Sequence, residues 1–414
     1  MCADQYKTPC YVYDTQLLAR TLDAVEAETR SCNNFHVHYA VKANAHPDIL
    51  RLIAARGLGA DCVSGGEIRA ALEAGFPASE IVFAGVGKAD WEINLALQAG
   101  IAMFNVESVA ELEVIRECAA ALQPACPTAS PQAPLSRQRP AISSPESATP
   151  TRARVSFRIN PDVGVHTHAH ITTGLAENKF GIDKEHMVDV IRKAQAMDNI
   201  DFTGLHFHIG SQLLDMADFQ ALCERINELQ CLLDEEGIYV PNINVGGGLG
   251  VNYEHPSSAP VPDFKAYFDT FKQHLRLREG QQLHFELGRS IVAQMGTLLT
   301  RVLYVKEGTR KKFVIVDAGM TELIRPALYG AYHEIVNLTG EARQAEAGRP
   351  AAADDRLTYD VVGPICESSD VFVKDYSLPA TQRGDLLEIR SAGAYGETMA
   401  STYNCRPLPK SYLQ

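Results

Sequence analysis

A chain of 414 residues, 46% hydrophobic and 21% charged, has the composition of an ordinary folded protein and the length for two domains or for one barrel with an appended domain. Its formal net charge of −13 argues against a nucleic-acid surface or an anionic membrane as partner. No apolar run reaches the length of a membrane span, the start "MCADQYKTPCYVYD" lacks the pattern of a signal peptide, and the ten cysteines show no CxxC pair or zinc spacing. A cytoplasmic protein with reduced thiols and no metal is expected.

In chain order, "CYVYD" (10–14) reads as an isolated strand, and residues 1–30 are expected to form an N-terminal segment joining a later sheet. A regular alternation follows. Short apolar runs lie at "VHYAV" (37–41), "LGADC" (58–62), "IVFA" (81–84), "IAMFN" (101–105), "VSFRI" (155–159), "GLHFHI" (204–209), "INV" (243–245) and "LHFEL" (283–287). Between most of them lie amphipathic stretches such as "GGEIRAALEAG", "SVAELEVIRECAAAL" and "MADFQALCERINELQCLLDEEG", several closed by glycine as helices are. Eight strands alternating with helices predict an α/β fold, a TIM-like (β/α)8 barrel over residues 31–288.

Residues 121–154, rich in Pro, Ser, Thr and Ala, cannot bury enough apolar surface to offset ordering entropy. They predict a flexible insertion between the fourth helix and the fifth strand, leaving the barrel on the side away from its chemistry. After residue 290, "LLTRVLYVKEG", "KKFVIVDAG", "YDVVGPICE", "DVFVKDYSLP" and "GDLLEIRSAG" are strand-like runs separated by turns. They predict a C-terminal all-β domain over 289–414, interrupted by a smaller polar insertion at 341–355.

Barrel enzymes place their chemistry where strands end, and polar or glycine-rich residues collect there. The first run ends at Lys42. The second ends at Asp61, followed by Ser64 and Glu67. Arg158 lies in the fifth, and the last three end in "HFHIGS", "GGGLG" and "ELGR". Lys42 has two readings: a lysine snorkelling from a strand end, or one in a dry site with a lowered pKa, ready to form a Schiff base. "GGGLG" (246–250) is either a tight turn or a loop whose N–H groups approach an anion, with Ser211 beside it. A strand-end lysine, phosphate donors and the carboxylate of Glu286 for a pyridinium nitrogen together point to pyridoxal 5'-phosphate. The histidines of "HFHIGS" alternate along a strand, so only one faces the mouth. His208, nearer the end, is the candidate to lie on a cofactor ring, and His206 reads as a satisfied core histidine. "HTHAH" (166–170) lacks a carboxylate or cysteine partner at metal-ligand spacing and reads as a polar loop.

The motifs "YAVKAN", "DCVSGGE", "FRINPDV", "ENKFGID", "HFHIGSQ", "NVGGGLG", "ELGR", "DAGM", "RPALYGAYH", "GPICESSD" and "AGAY" run from about residue 9 to about residue 413. On them the chain resembles the fold-type III pyridoxal-phosphate decarboxylases, and within these the diaminopimelate decarboxylases. The resemblance implies a barrel with a β domain, and a homodimer with shared active sites. It implies that Lys42 forms the Schiff base, that His208 stacks on the ring and that Glu286 pairs with the ring nitrogen. Ser211, Gly246, Gly247, Gly248, Arg289 and Tyr395 would surround the phosphate or the substrate carboxylate, with Asp61 and Arg158 near the ring and lysine. Arg325 and Tyr329 would bind the far end of the substrate. Cys366 and Glu367 would arrive from the partner subunit, Cys366 as proton donor to Cα; a buried structural cysteine is the alternative reading. The family usually has proline at Leu287 and often serine at Asn178; neither position carries charge in the mechanism.

Diaminopimelate carries a second amino-acid group, which needs a cation for its carboxylate and an anion for its ammonium. Arg325 and Glu367 are expected to supply them, with help from Arg289. The expected reaction is decarboxylation of meso-2,6-diaminopimelate to L-lysine, the last step of lysine biosynthesis. A polyamine-pathway decarboxylase would want acid and no arginine at that end, since a buried unpaired arginine is costly. A racemase needs acid–base groups on both cofactor faces. A non-catalytic cofactor-binding relative would have lost Lys42 or Cys366.

Overall fold

The computed structural model describes residues 6–122, 152–164, 179–346 and 356–414. The chain opens with β1 (Cys10–Tyr13) and α1 (Thr15–Thr29). There follow β2 (Phe35–Ala40), α2 (Pro47–Ala54), β3 (Gly59–Cys62), α3 (Gly65–Ala74), β4 (Ile81–Phe83), α4 (Asp90–Ala99), β5 (Met103–Val106) and α5 (Val109–Ala121). The alternation continues through β6 (Ala153–Asn160), β7 (Ile182–Asp183), α6 (Met187–Gln195), β8 (Ile200–His206), α7 (Met216–Glu235), β9 (Asn242–Asn244), α8 (Phe264–His274) and β10 (Gln282–Leu287).

Local chemistry sets the helix starts. Pro47 occupies the first turn of α2, where its missing N–H has no partner to lose. Ser64 and Ser108 cap α3 and α5, their hydroxyls accepting from the backbone N–H of Glu67 and Glu111. The strands pair in parallel in the order β5-β4-β3-β2-β10-β9-β8-β6, and β5 pairs with β6 to close the ring. This is the (β/α)8 barrel the alternation predicts. β7 only extends the C-terminal end of β6.

Beyond the barrel lie α9 (Arg289–Val292), β11 (Gly296–Glu307), β12 (Lys312–Val316), α10 (Arg325–Tyr329), β13 (Ile335–Asn337), α11 (Leu338–Glu346), β14 (Arg356–Val362), β15 (Val371–Pro379), β16 (Leu386–Ile389) and β17 (Lys410–Leu413). They build a mostly antiparallel sheet ordered β13-β16-β11-β12-β14-β15. β1 pairs antiparallel with β11 and parallel with β17, so the described chain begins and ends in one sheet.

The structure differs from the sequence reading in several places. Residues 15–29 form a helix that packs on α8 and α9, so within the first thirty residues the described strand pairing is confined to Cys10–Tyr13. Its buried positions Leu17, Leu18, Thr21, Leu22 and Val25 recur at helical spacing, and Asp14 caps it. β13 and β17 are short edge-type segments without a strong apolar run. The stretch read as an insertion at 121–154 begins inside α5 and ends inside β6, and its interior lies outside the described residues. Both flanks belong to the N-terminal end of the barrel strands. Residues 341–346 finish α11, and the rest of the 341–355 stretch lies outside the described residues, as do the histidines of 166–170 and Asn178. Among the described residues no helix is long and apolar enough to cross a membrane.

An aromatic layer joins barrel and helix ring. Phe285 on β10 is fully buried, with ring centroids 5.3 Å from Phe35, 4.9 Å from Phe268 and 5.2 Å from Phe271. Phe285→Ala removes the centre of this layer and is expected to destabilise the protein by about 3–5 kcal/mol, read from the urea midpoint. Tyr304→Ala, at a side chain 58% exposed, should change stability by no more than about 0.5 kcal/mol.

Candidate active site

Many barrels fill their interior with branched aliphatic side chains; this one holds polar ones. His38, Asp61, Asn105, Arg158, His206, Asn242, Asn244, His284 and Glu286 are all buried, and two of their bonds, Asn105 to Glu286 and His206 to Glu286, cross between strands that do not pair. At the deeper end His38 Nε2 lies 2.9 Å from His284 Nδ1, and His284 Nε2 lies 3.0 Å from Asn242 Oδ1.

Glu286 sits one layer nearer the C-terminal mouth. Asn105 and Asn244 each donate a side-chain N–H to its Oε1, at 2.9 and 2.7 Å, and His206 Nε2 donates to Oε2 at 3.0 Å. Burial pushes this carboxyl up, but His206, which also bonds it, and Lys42 outweigh burial and hold it well below the usual carboxylate range. The result is a fixed, ionised carboxylate at the floor of the mouth.

Lys42 follows β2 in a single 3-10 turn, Val41–Ala43. Its Nζ lies 2.9 Å from Asp61 Oδ2. The lysine side chain is 42% exposed in the open well of the mouth, whereas Asp61 is fully buried. The expectation of a lowered pKa is corrected: burial lowers it, but Asp61, Tyr395 and Glu286 outweigh burial and raise Lys42 above the ordinary lysine value. Asp61 is itself pushed up by burial and by Glu286, against the pull of Lys42. Its second oxygen, Oδ1, has no hydrogen-bond partner among the described residues.

His206 is buried in the barrel interior, as its core reading expects, but alternation is not what separates it from His208. β8 ends at His206, so the alternation argument does not extend to His208. His206, read as a core residue, is the one that orients Glu286. His208 lies in the following loop with Nδ1 3.4 Å from the Gly247 N–H. Burial and the charges of Arg158 and Lys42 hold its imidazole well below the ordinary value, hence neutral. Arg158 makes two bonds to Glu107, at 3.1 and 3.2 Å, and its guanidinium carbon lies 4.7 Å from the Phe180 ring centre.

The loops after β8 and β9 are laced together by Leu213 N–H to Gly248 O and Gly250 N–H to Leu213 O, at 2.9 and 2.8 Å. This contact explains the glycines first as packing. A Cβ at Gly246 would stand 2.4 Å from Phe207 O, and one at Gly247 would stand 2.0 Å from Glu286 O. Gly246 and Gly248 also have φ of +69° and +117°. The turn and anion readings are therefore compatible: the backbone is pressed in close beside the mouth, leaving a concave cradle that side chains would fill.

Two buried arginines flank Tyr253, and one of them reaches Ser211 beside the cradle. Arg289 donates to Tyr253 Oη at 2.8 Å and to Ser211 Oγ at 2.9 Å, and its guanidinium carbon lies 4.9 Å from the Tyr395 ring centre. Its Nε has no partner among the described residues. Arg325, at the start of α10, lies with its guanidinium carbon 4.9 Å from the Tyr253 ring centre and donates to His333 at 2.9 Å. Among the described residues neither is paired with a carboxylate. Tyr329 ends α10 and is 41% exposed. Tyr395 is anchored through its N–H to Ala43 O at 2.8 Å, next to Lys42.

Cys366 and Glu367 are not tied to this cluster. Both are exposed, with Cys366 N–H 3.5 Å from Asn404 Oδ1 and Glu367 accepting from Tyr403 Oη at 2.7 Å. Sequence reasoning names none of Asn105, Asn244, Glu107, Tyr253 and His333. A signal existed for the first two: Asn105 ends one apolar run and Asn244 interrupts another, and a buried polar side chain demands a partner. Gly247→Ala is expected to force the cradle backbone off Glu286 and to weaken pyridoxal phosphate binding, by fluorescence titration, by roughly tenfold or more. Gly87→Ala, where a Cβ meets nothing within 4 Å, should leave that binding unchanged.

Comparison with known proteins agrees with this geometry. A family model described as pyridoxal-dependent decarboxylase, pyridoxal binding domain, matches residues 18–293. The chain is 58% identical to diaminopimelate decarboxylase of Bacteroides thetaiotaomicron, over 98% of this chain and 95% of that one. The crystal structure of diaminopimelate decarboxylase from Helicobacter pylori complexed with L-lysine superposes with a TM-score of 0.84 at 36% identity, covering 99% of this chain and 92% of that one. Lysine/ornithine decarboxylase from Vibrio vulnificus, at 21% identity and a TM-score of 0.75, covering 100% of this chain and 96% of that one, shares the fold alone. The chain belongs to the pyridoxal-dependent decarboxylases, in their diaminopimelate decarboxylase branch.

Proposed function

We propose that this protein decarboxylates meso-2,6-diaminopimelate to L-lysine and carbon dioxide with pyridoxal 5'-phosphate, the last step of lysine biosynthesis. The observation that carries this reading is the pair of buried, carboxylate-free arginines bordering a mouth that already holds Lys42 and ionised Glu286. A buried cation without an anion is costly, so each arginine calls for an anionic group from a ligand.

The residues fit the cofactor. The Gly246–Gly248 cradle, Ser211 and Arg289, with its unsatisfied Nε, suit a phosphate. Glu286 suits a protonated ring nitrogen, Lys42 is the attachment point, and neutral His208 beside Gly247 suits the ring face. Once bound, the cofactor supplies an electron sink for the pair left when the carboxylate departs.

The chain's own groups divide the remaining work. Asp61 holds the Lys42 ammonium and is the acceptor in reach when Nζ gives up a proton. The donors from Asn105, Asn244 and His206 keep Glu286 charged and aimed. Arg325, with Tyr329 nearby, takes the far carboxylate of the substrate, and Tyr395 covers Arg289. A simple diamine precursor offers Arg325 no anion, which disfavours the polyamine reading. Cys366 and Glu367 act from the partner subunit of a homodimer, Glu367 on the far ammonium and Cys366 returning a proton to Cα. Their exposure in this chain, with bonds only to Asn404 and Tyr403 among the described residues, supports that assignment. The cysteines described are all free, which fits a cytoplasmic setting.

Two measurements test the reading. The protein reconstituted with cofactor should absorb at about 420 nm, lose that band in Lys42→Ala, and release lysine and carbon dioxide from meso-diaminopimelate. A band without lysine would redirect the substrate to ornithine, arginine or carboxynorspermidine; no band in the wild type would sink the attachment role of Lys42. Secondly, Lys42→Ala and Cys366→Ala should each be inactive alone yet regain activity when mixed and allowed to exchange subunits. Absence of recovery in verified mixed dimers would rule out a shared site.

A further inference from the structure

We propose that His333 is the positioning residue of Arg325 and thereby sets the preference for ligands ending in a carboxylate; this rests on the reading that Arg325 takes that group. His333 Nδ1 lies 2.8 Å from the carbonyl oxygen of Arg390. A carbonyl can only accept, so Nδ1 carries the proton. Nε2 is then a lone pair, and it lies 2.9 Å from Arg325 Nη1. The geometry permits one tautomer.

The imidazole stays in that form. His333 is 3% exposed, and burial together with the charge of Arg325 lowers it to about 3. Arg390 is held in turn, its N–H donating to Glu334 O at 2.9 Å. On the other side the Tyr253 ring meets Arg325 at 4.9 Å and His333 edge-on at 5.1 Å. The guanidinium is therefore clamped by an aromatic face and one uncharged acceptor.

The absence of charge on that acceptor is the point. A carboxylate here would hold Arg325 equally well but would neutralise it. A neutral imidazole restrains the side chain and leaves its charge for the ligand.

The test compares two ligands of the holoenzyme by spectral titration: L-lysine, which keeps the far carboxylate, and cadaverine, which lacks it. Wild type should favour L-lysine. His333→Phe, which removes the acceptor, should lower that preference roughly tenfold, with KM for diaminopimelate rising more than kcat falls. His333→Glu should lower it as well, by filling Arg325 from within, and this arm decides if the phenylalanine variant does not fold. His333→Gln, whose amide can accept from Arg325 and donate to Arg390 O, should restore it. An unchanged preference in His333→Phe or His333→Glu overturns the role of His333. A wild type that does not favour L-lysine over cadaverine overturns the reading of Arg325, and the inference with it.

Discussion

Much of this protein's site depends on keeping one carboxylate ionised inside a barrel. Glu286 is buried, and burial alone would favour its neutral form. It stays charged because donors from three other strands, β5, β8 and β9, converge on its two oxygens. That convergence ties the barrel register to the chemistry. A strand shifted by one residue would turn its donor to the opposite face, leaving a buried anion without its partner.

The same economy of contacts shapes the mouth above. Glycines in the loop after β9 let one backbone press against Glu286 and against the loop after β8, which brings Ser211 and Arg289 together beside the cradle. Tyr253 then stands between Arg289 and Arg325. Two cations on one tyrosine, neither paired with a carboxylate among the described residues, suit a ligand that carries anionic groups. Lys42 is charged in this environment because the well around it is anionic. Its reactivity therefore depends on what enters the well, rather than on burial of the lysine alone.

Several of these features were legible in the sequence. The barrel strands follow from apolar runs separated by amphipathic stretches, and Lys42, Asp61 and Glu286 stand out as charged residues at strand ends. The misses have distinct causes. α1 is legible in the helical spacing of Leu17, Leu18, Leu22 and Val25, a signal masked by the strand pattern just before it. The two-residue alternation that separates His206 from His208 stops where β8 stops, so it does not show that His206 meets Glu286. Tyr253 and His333 lie in irregular segments, where neither periodicity nor capping indicates a direction for the side chain.

The sequence by itself determined the alternation of elements, the closed barrel it implies, and the inventory of charged and glycine residues at the strand ends. Those properties are local, set by patterning over a few residues. Tertiary structure decided which polar groups meet. Asn105 and Glu286 are 181 residues apart and share a hydrogen bond. His333 becomes a one-tautomer acceptor only because the Arg390 carbonyl, 57 residues on, faces its other nitrogen. Hydrogen bonds and ion pairs act over a few ångströms, so their partners are settled by chain closure rather than by neighbours in the sequence.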